Sequence, residues 1–321
     1  MYQTLLRSLF YLLGACLLQG CQALKQEEGF TPIINFATPQ EKISQLPSAF
    51  PPLSTEERSQ EWGKELILGE AFAEEWDLYR AITCYKRALI LIPPSNKERI
   101  LQLNYDIVFA YYLGNKYKEA INVFEGTELT YVNALFPAYN NLLILLYDCY
   151  RVTHQEEKAS CLLNAIEKYS PETADDLTLY TDLKAGLLDA VQADIEKRAD
   201  KDCIQITLEQ YYRFAKSPQK ARTLNALLPG LGYYYVGQKK AALTSFLVNA
   251  LFTAAAYQFF SRGYPAAGAI TASLEYGWYY GGINGAGIAA NEYNQVLYDG
   301  VGRKILTESN SFPVLIFETS F

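Results

Sequence analysis

Apolar residues recur with helical spacing from about Thr55 to about Phe214, and the pattern is clearest from Trp62 to Pro94. There, three residues share one face of a first predicted helix, three share one face of a second, and Pro93 ends the unit. Small residues on these faces let two helices approach closely while aromatic rings fill the space between them. The pattern therefore predicts a pair of packed helices. The residues are Leu68, Gly69 and Phe72 in the first helix and Ala81, Tyr85 and Ala88 in the second.

This spacing resembles the tetratricopeptide repeat (TPR), a helix–turn–helix unit of about 34 residues. The family's small, aromatic, alanine and proline positions are all matched when the unit starts at Trp62, although Glu65 stands where that family has tryptophan. Two further units follow, over LNYDIVFAYYLGNKYKEAINVFEG and, more weakly, over LLILLYDCYRVTHQEEKASCLLNAIEKYSP. Because each unit buries its apolar face against a neighbour, three units are just sufficient. The resemblance implies an all-α, TPR-like solenoid of helical hairpins over residues 56–218.

TPR families mainly bind protein segments in a concave groove lined by the first helix of each pair. The resemblance therefore implies a protein partner, and it implies that the groove residues here include Asn104, Tyr105, Tyr112 and Asn140. The alternative is that these tyrosines only pack between repeats.

The first residues, MYQTLLRSLFYLLGACLLQGC, predict a signal peptide over 1–20, because one basic residue precedes an apolar run too short to span a bilayer. Its end, LQGC, resembles a bacterial lipobox. That resemblance implies cleavage before Cys21 and acylation of this cysteine, for example with palmitate, and two acyl chains suffice for stable anchoring. An uncleaved anchor is the alternative. Residues 21–55 are rich in Gln, Glu, Pro, Ser and Thr, which predicts an extended linker.

A glycine-rich stretch, LLPGLGYYYVGQKK, follows the repeats at residues 227–240. Gly232 and Gly237 have the separation of P-loop glycines, but Gln238 stands where the lysine is required and no strand is predicted before them. These observations argue against nucleotide binding. The glycines and Pro229-Gly230 instead predict a sharp turn that leads into closely packed helices.

The run 241–260 that follows has no charged residue and is long enough to span a hydrocarbon core. A second, more polar run continues to Ala290 after a turn at Arg262. We therefore expect a Gly/Ala-rich helical hairpin over 219–298, with membrane lipid contacting residues 241–290. A soluble hairpin packed on the repeats is the alternative.

Small residues recur every fourth position in the second run, at Gly277, Gly281 and Gly285, and such a ridge lets another helix pack at close range. Asn249 and Glu275 are costly in lipid, so we expect them to face a partner helix or another subunit. The hairpin is thus a candidate surface for homo-oligomerisation.

This stretch also resembles the C-terminal module of TPR-containing envelope proteins of Gram-negative bacteria. The module carries P-G-x-G-x-x-Y-x-G, then F-x-x-N, then a Tyr- and Gly-rich run that ends in a Tyr-Asn pair, and it implies no reaction. The matching residues are Pro229, Gly230, Gly232, Tyr235, Gly237, Phe246, Asn249, Trp278, Gly281, Gly285, Ala290, Tyr293 and Asn294.

Composition narrows the function classes. The net charge of −7 argues against nucleic-acid binding, which needs a basic face. With one histidine, His154, and six cysteines that form no C-x-x-C pair, a metal site is not expected, and the disulfide state of the cysteines stays open. No G-x-S-x-G motif or paired histidines point to catalysis, so we expect neither an enzyme nor a cofactor.

Basic residues cluster before the first apolar run, and the positive-inside rule would place the repeats in the cytosol. The lipobox places them in the periplasm, and we follow the lipobox. The sequence thus predicts a lipid-anchored protein of the bacterial cell envelope that binds or scaffolds other envelope proteins. The alternative is a subunit of an envelope transport or assembly complex whose hairpin oligomerises in the membrane. Residues 299–321 are predicted to be a C-terminal tail.

Overall fold

The computed structural model describes residues 34–196 and 198–321. This part of the chain is all-α, as the sequence predicts, with no β-strand and with an isolated bridge between Ser48 and Ser320. It forms two compact units, one of residues 34–215 and 296–321 and the other of residues 216–295. The predicted signal peptide and Cys21 lie outside the described residues.

Up to residue 215, the first unit contains two short helices, four helix pairs and one further helix. From α2 to α11, each helix packs against the next. Their bounds in chain order are α1 (Gln40–Ser44), α2 (Thr55–Ser59), α3 (Glu61–Glu74), α4 (Leu78–Leu91), α5 (Lys97–Leu113), α6 (Tyr117–Glu125), α7 (Tyr139–Val152), α8 (Glu156–Tyr169), α9 (Pro171–Ala185), α10 (Leu188–Ile195) and α11 (Lys201–Phe214). A 3₁₀ turn, Glu128–Tyr131, follows α6.

The turn inside a helix pair has the same geometry three times. Trp76, Asn115 and His154, evenly spaced along the chain, adopt left-handed φ angles of 64°, 57° and 60°. In each turn the next residue donates its N–H to a carbonyl near the end of the preceding helix at 2.8 Å. Recurrence of one turn at a fixed interval is what a helical repeat fold requires. The single histidine is therefore a turn residue of the repeat.

Close packing inside the first pair depends on a glycine. Gly69 is buried on α3 against the ring of Tyr85 on α4, and a Cβ at position 69 would overlap that ring. Tyr85 itself is fully buried, beside Leu66 and Ala81. The small residue and the aromatic ring thus play the roles that the apolar pattern predicts.

The linker predicted over 21–55 needs correction in the part that the structure describes. Residues 34–54 contain no long helix, as their prolines predict, but they pack on the repeats instead of extending freely. Ile43 is 1% exposed, and the ring of Phe50 lies 5.6 Å from that of Tyr105. The prediction rested on the overall polar composition, but the apolar side chains between the prolines bury themselves against the repeats.

The second unit contains the sharp glycine turn and the two long helices. Its helices are α12 (Pro218–Leu227), α13 (Leu231–Val236), α14 (Lys239–Ser261) and the part of α15 (Pro265–Glu308) that precedes residue 296. Gly230 has φ 91°, and its N–H donates to Asn225 Oδ1 at 2.9 Å. A Cβ on Gly230 would collide with the backbone carbonyl of Ala242, so the turn needs glycine for both its dihedral angle and its space.

The last residues return to the first unit. Residues 296–308 of α15 pack there, where the Tyr298 hydroxyl donates to the Leu183 carbonyl at 2.7 Å. A short helix, α16 (Pro313–Ile316), packs against α7 and α9. Residues 317–321 leave the helical conformation.

Candidate functional site

The first helices of the four pairs, α3, α5, α7 and α9, carry the candidate site, and residues 311–321 lie along them. We call residues 311–321 the tail segment. At its start, the Ser311 hydroxyl donates to Asp176 Oδ1 on α9 at 2.9 Å, and the ring of Phe312 lies 5.9 Å from that of Tyr180. The tail segment therefore begins on the fourth helix pair.

Farther along, the tail segment places two aromatic side chains against α5. The ring of Phe317 lies 5.4 Å from Phe109 and 5.8 Å from Tyr112, and the ring of Phe321 lies 4.9 Å from Phe109. Phe321 also reaches within 6.3 Å of Tyr85 on α4. The tail segment thus runs from the fourth helix pair to the first.

Asn141 on α7 holds the backbone of the tail segment. Its Nδ2 donates to the Thr319 carbonyl at 2.8 Å and to the Thr319 hydroxyl at 2.9 Å, and its Oδ1 accepts from the Glu318 N–H at 3.3 Å. Asn141 is 2% exposed, so this amide is taken from water and satisfied almost wholly by the bound segment. One side chain thus both donates to and accepts from the non-helical backbone of the tail segment.

Residues of the 34–54 stretch complete the backbone contacts. The Ser320 N–H donates to the Pro47 carbonyl at 2.8 Å, and Lys42 Nζ donates to the Leu315 carbonyl at 2.9 Å. Arg99 on α5 fixes this stretch in turn, since its guanidinium donates to the Pro51 carbonyl at 2.8 Å and to Glu57 at 2.9 Å. The hydrogen bond from Arg99, and after it the one from the Ser54 N–H, lower the pKa of Glu57 to about 2.

The groove is not filled around Phe321. A cavity of about 340 Å³ borders its ring and is also lined by Glu70, Glu74, Arg58 and Arg99. Phe321 therefore has open space on one side as well as packed neighbours.

Two of the four predicted groove residues pack within the repeat unit, and the hydroxyl of one of them, Tyr105, also lies near Thr319 of the tail segment. Asn104 donates its amide to the Ile100 carbonyl one turn earlier at 2.9 Å, and Tyr105 is fully buried between Phe50, Phe109 and Phe136. This is the packing role that was the alternative for the tyrosines.

The other two predicted residues border the tail segment. Tyr112 contacts Phe317 and donates its hydroxyl to Asp148 Oδ2 at 2.9 Å, while the exposed Asn140 lines a small cavity together with Ile316 and Glu318. That these residues bind a partner stays a prediction.

Asn141, which forms three hydrogen bonds with the tail segment, was not among the predicted groove residues, although its neighbour Asn140 was. A signal was present: Gln102 and Asn141 each stand six residues before the position of the repeat that Val108 and Tyr147 occupy. Both amides are 2% exposed, and a buried amide that recurs in register indicates a bound polar group.

Two buried carboxyl groups lie on the same helices and differ in their partners. Asp148 on α7 accepts hydroxyl hydrogen bonds from Tyr112 at 2.9 Å and Tyr180 at 3.1 Å. Within residues 34–196 and 198–321, neither oxygen of Asp106 on α5 has a partner at hydrogen-bond distance and angle. Burial raises the pKa of both groups, and the charge of Glu70 raises that of Asp106 further. Burial of the Asp106 carboxyl group therefore carries a cost that no hydrogen bond of normal geometry from the described residues offsets.

Helix α14 is the second candidate surface. Among the described residues it is the one helix long and apolar enough to cross a membrane, with a mean hydropathy of 1.3. Its buried residues, Ala242, Asn249 and Ala256, form a narrow seam, and its large apolar side chains, such as Leu251, are exposed. The second apolar run, within α15, does not meet the same criterion.

The glycine ridge predicted on α15 is only partly used in this structure. A Cβ on Gly277 or Gly281 would meet open space, whereas Gly285 lies under the hydroxyl end of Tyr233. Asn249 is 4% exposed and donates to the Ser245 carbonyl of its own helix at 2.6 Å. One oxygen each of Asn249 and Glu275 is buried without a partner.

No group of His, Cys, Asp or Glu side chains suited to a metal ion occurs in residues 34–196 and 198–321. Comparison of the chain with protein-family models, with curated proteins and with solved structures finds no match.

Proposed function

We propose that this chain is a membrane-anchored, TPR-like scaffold of the bacterial cell envelope that binds an extended segment of another protein along its first helices. The hydrogen bonds between Asn141 and the backbone at Glu318 and Thr319 carry the proposal, because the same amide could pair with the backbone of an extended segment from another protein. The aromatic rings of Phe109 and Tyr112 supply the apolar part of the same site.

Anchoring rests on two separate features. The lipobox ending at Cys21 supports acylation, and the exposed apolar side chains of α14 support contact with lipid. Lys239 and Lys240 at the start of α14 suit a headgroup level, where long basic side chains reach the interface. Together they keep the repeat unit at a membrane surface in the periplasm.

Partner binding is tested by photocrosslinking from the groove in native membranes. A crosslinking amino acid at position 140, on the rim of the groove, is expected to link a second envelope protein. The matched probe replaces Glu167, exposed on α8, and is expected to link none. Absence of a link to any other protein from position 140 would refute the groove as a partner site.

Acylation is tested with radiolabelled palmitate. Label is expected in the wild-type chain and in Cys16→Ser, and it is expected to vanish in Cys21→Ser, which should then be released from the membrane fraction unless α14 retains it. Label in Cys21→Ser would refute the anchor.

A second candidate function is a subunit of a transport or assembly complex. It is favoured by the open space at Gly277 and Gly281 among the described residues, where a helix of a neighbouring copy could pack closely. In native membranes, Gly281→Leu should then lose crosslinked oligomers that Gly300→Leu, another helical glycine with open space around it, retains. Monomers alone in the wild-type chain would dismiss this candidate.

A further inference from the structure

The tail segment occupies the site that the proposed function assigns to a partner. Its contacts do not resemble those between the helices, because an irregular backbone at residues 317–321 is bound through side-chain and backbone hydrogen bonds at Asn141 and Pro47. Parts of it stay accessible to solvent, since Glu318 is exposed and Thr319 is half-buried. It is bound as a ligand would be.

The side-chain pattern of the tail segment defines what the groove recognises. Along a non-helical chain, alternate side chains point the same way, so residues 317 and 321 present their rings to one surface. Both rings contact Phe109, at 5.4 and 4.9 Å, and the backbone between them meets Asn141. The groove therefore recognises two aromatic side chains four positions apart, together with a backbone N–H and a backbone carbonyl between them that pair with Asn141.

We propose that the tail segment is a resident ligand that closes the groove, and that the partner is an extended peptide with the same two-aromatic pattern, which displaces it. This inference rests on the proposed peptide-binding function. A tethered ligand acts at a local concentration in the range of about millimolar, so a free peptide competes poorly until the tail segment is released.

The space beyond Phe321 extends the proposal to the choice of side chain. The cavity of about 340 Å³ at that ring leaves room for a larger aromatic group in the partner. Phe321 therefore fills its pocket incompletely, and a partner with tryptophan at the equivalent position should bind better than the tail segment's own sequence.

The experiment locks the tail segment reversibly in the full-length chain in detergent. Ser48 and Ser320 are paired by a bridge, and paired Cα atoms lie about 5 Å apart, within the range that a disulfide needs. The variant S48C/S320C is oxidised or reduced, and binding of a fluorescent peptide PVLIFETSF, the sequence of residues 313–321, is measured. The reduced form is expected to bind at least tenfold more tightly than the oxidised form, with S48C alone indifferent to oxidation.

A second variant releases the tail segment without a disulfide. Phe317→Ala with Phe321→Ala in the chain should raise peptide affinity at least tenfold over wild type, and adding Asn141→Ala should remove that gain. A peptide with tryptophan at its last position should bind the released form more tightly than PVLIFETSF. Thermal melting checks that each variant is folded.

Equal binding to the oxidised and reduced forms would overturn the inference, as would absence of binding to both the reduced and the released forms. If position 140 still crosslinks an envelope protein equally in locked and unlocked chains, the proposed scaffold function stands and only the closing role of the tail segment is refuted.

Discussion

The amide of Asn141 donates to both the carbonyl and the hydroxyl of Thr319, at 2.8 and 2.9 Å. This contact joins the first helix of the third pair to a segment far away in the sequence. The conformation of the last residues therefore depends on one amide side chain of the third pair.

Asn141→Ala is expected to loosen the tail segment. It leaves the Glu318 N–H and the Thr319 carbonyl without their buried partner, at a cost of about 1–3 kcal/mol. Amide hydrogen exchange should accelerate across residues 317–321 and stay unchanged in α4. Asn140→Ala is the matched control and should leave the exchange of those amides as in wild type. Equal protection in the two variants would contradict the assignment.

Gly69→Ala is expected to destabilise the first unit by about 1–3 kcal/mol, because the added Cβ overpacks the Tyr85 ring. Gly300→Ala serves as the control, since position 300 has open space and alanine favours a helix over glycine by up to about 1 kcal/mol. Urea unfolding should therefore give shifts of opposite sign. A stabilised Gly69→Ala would show that α3 and α4 pack less closely than described.

The neighbouring acids Asp182 and Asp194 predict a pH dependence. Burial, followed by the hydrogen bond and the charge of Asp194, raises the pKa of Asp182 from 3.8 to about 6. A carboxyl group whose pKa is higher in the folded than in the unfolded chain contributes its full stabilisation of the fold below its ordinary pKa. That contribution is lost as the pH rises through about 6.

Asp194→Asn should flatten the decline in unfolding free energy between about pH 4 and pH 6, and should raise stability at pH 7 by about 1 kcal/mol once solvent screening is allowed for. Asp189→Asn, exposed on the same helix, should keep the wild-type slope. Identical pH profiles for all three proteins would remove the coupling between Asp182 and Asp194.

Two buried acids should respond oppositely to one substitution. Asp106→Leu removes a buried carboxyl group that accepts no hydrogen bond of normal geometry from the described residues, and it should raise the free energy of unfolding at pH 7. Asp148→Leu leaves the hydroxyls of Tyr112 and Tyr180 without their acceptor and should lower it by about 2–4 kcal/mol. Urea denaturation of the pair tests the difference. Destabilisation of similar size in both would mean that Asp106 has a partner.

The sequence predicts the features of this fold that depend on neighbours in the chain. The apolar spacing identifies the helix pairs, the Gly69–Tyr85 contact follows from small and aromatic residues at repeat positions, and the turn at Gly230 follows from its glycines. Such features are encoded within a few residues, where helix geometry fixes which side chains meet.

The position of the tail segment in the groove could not be predicted from the sequence in the same way. Phe317 and Phe321 lie in a short stretch whose partial alternation has no strand to pair with, and their partners on α5 are distant in sequence. The contacts of Asn141 were not predicted for a related reason: neighbouring helical side chains point about 100° apart, and the sequence does not show which of Asn140 and Asn141 faces the tail segment.

The path of the tail segment across the first helices changes how the repeat unit should unfold. In a solenoid whose repeats contact only their neighbours, end repeats fray independently and melting is gradual. Here Ser311 contacts the fourth pair and Phe321 contacts the first two. An end pair therefore cannot unfold without breaking contacts with the tail segment. The tail segment therefore makes the four helix pairs unfold together, and its release would let the end pairs unfold separately and the unit melt gradually.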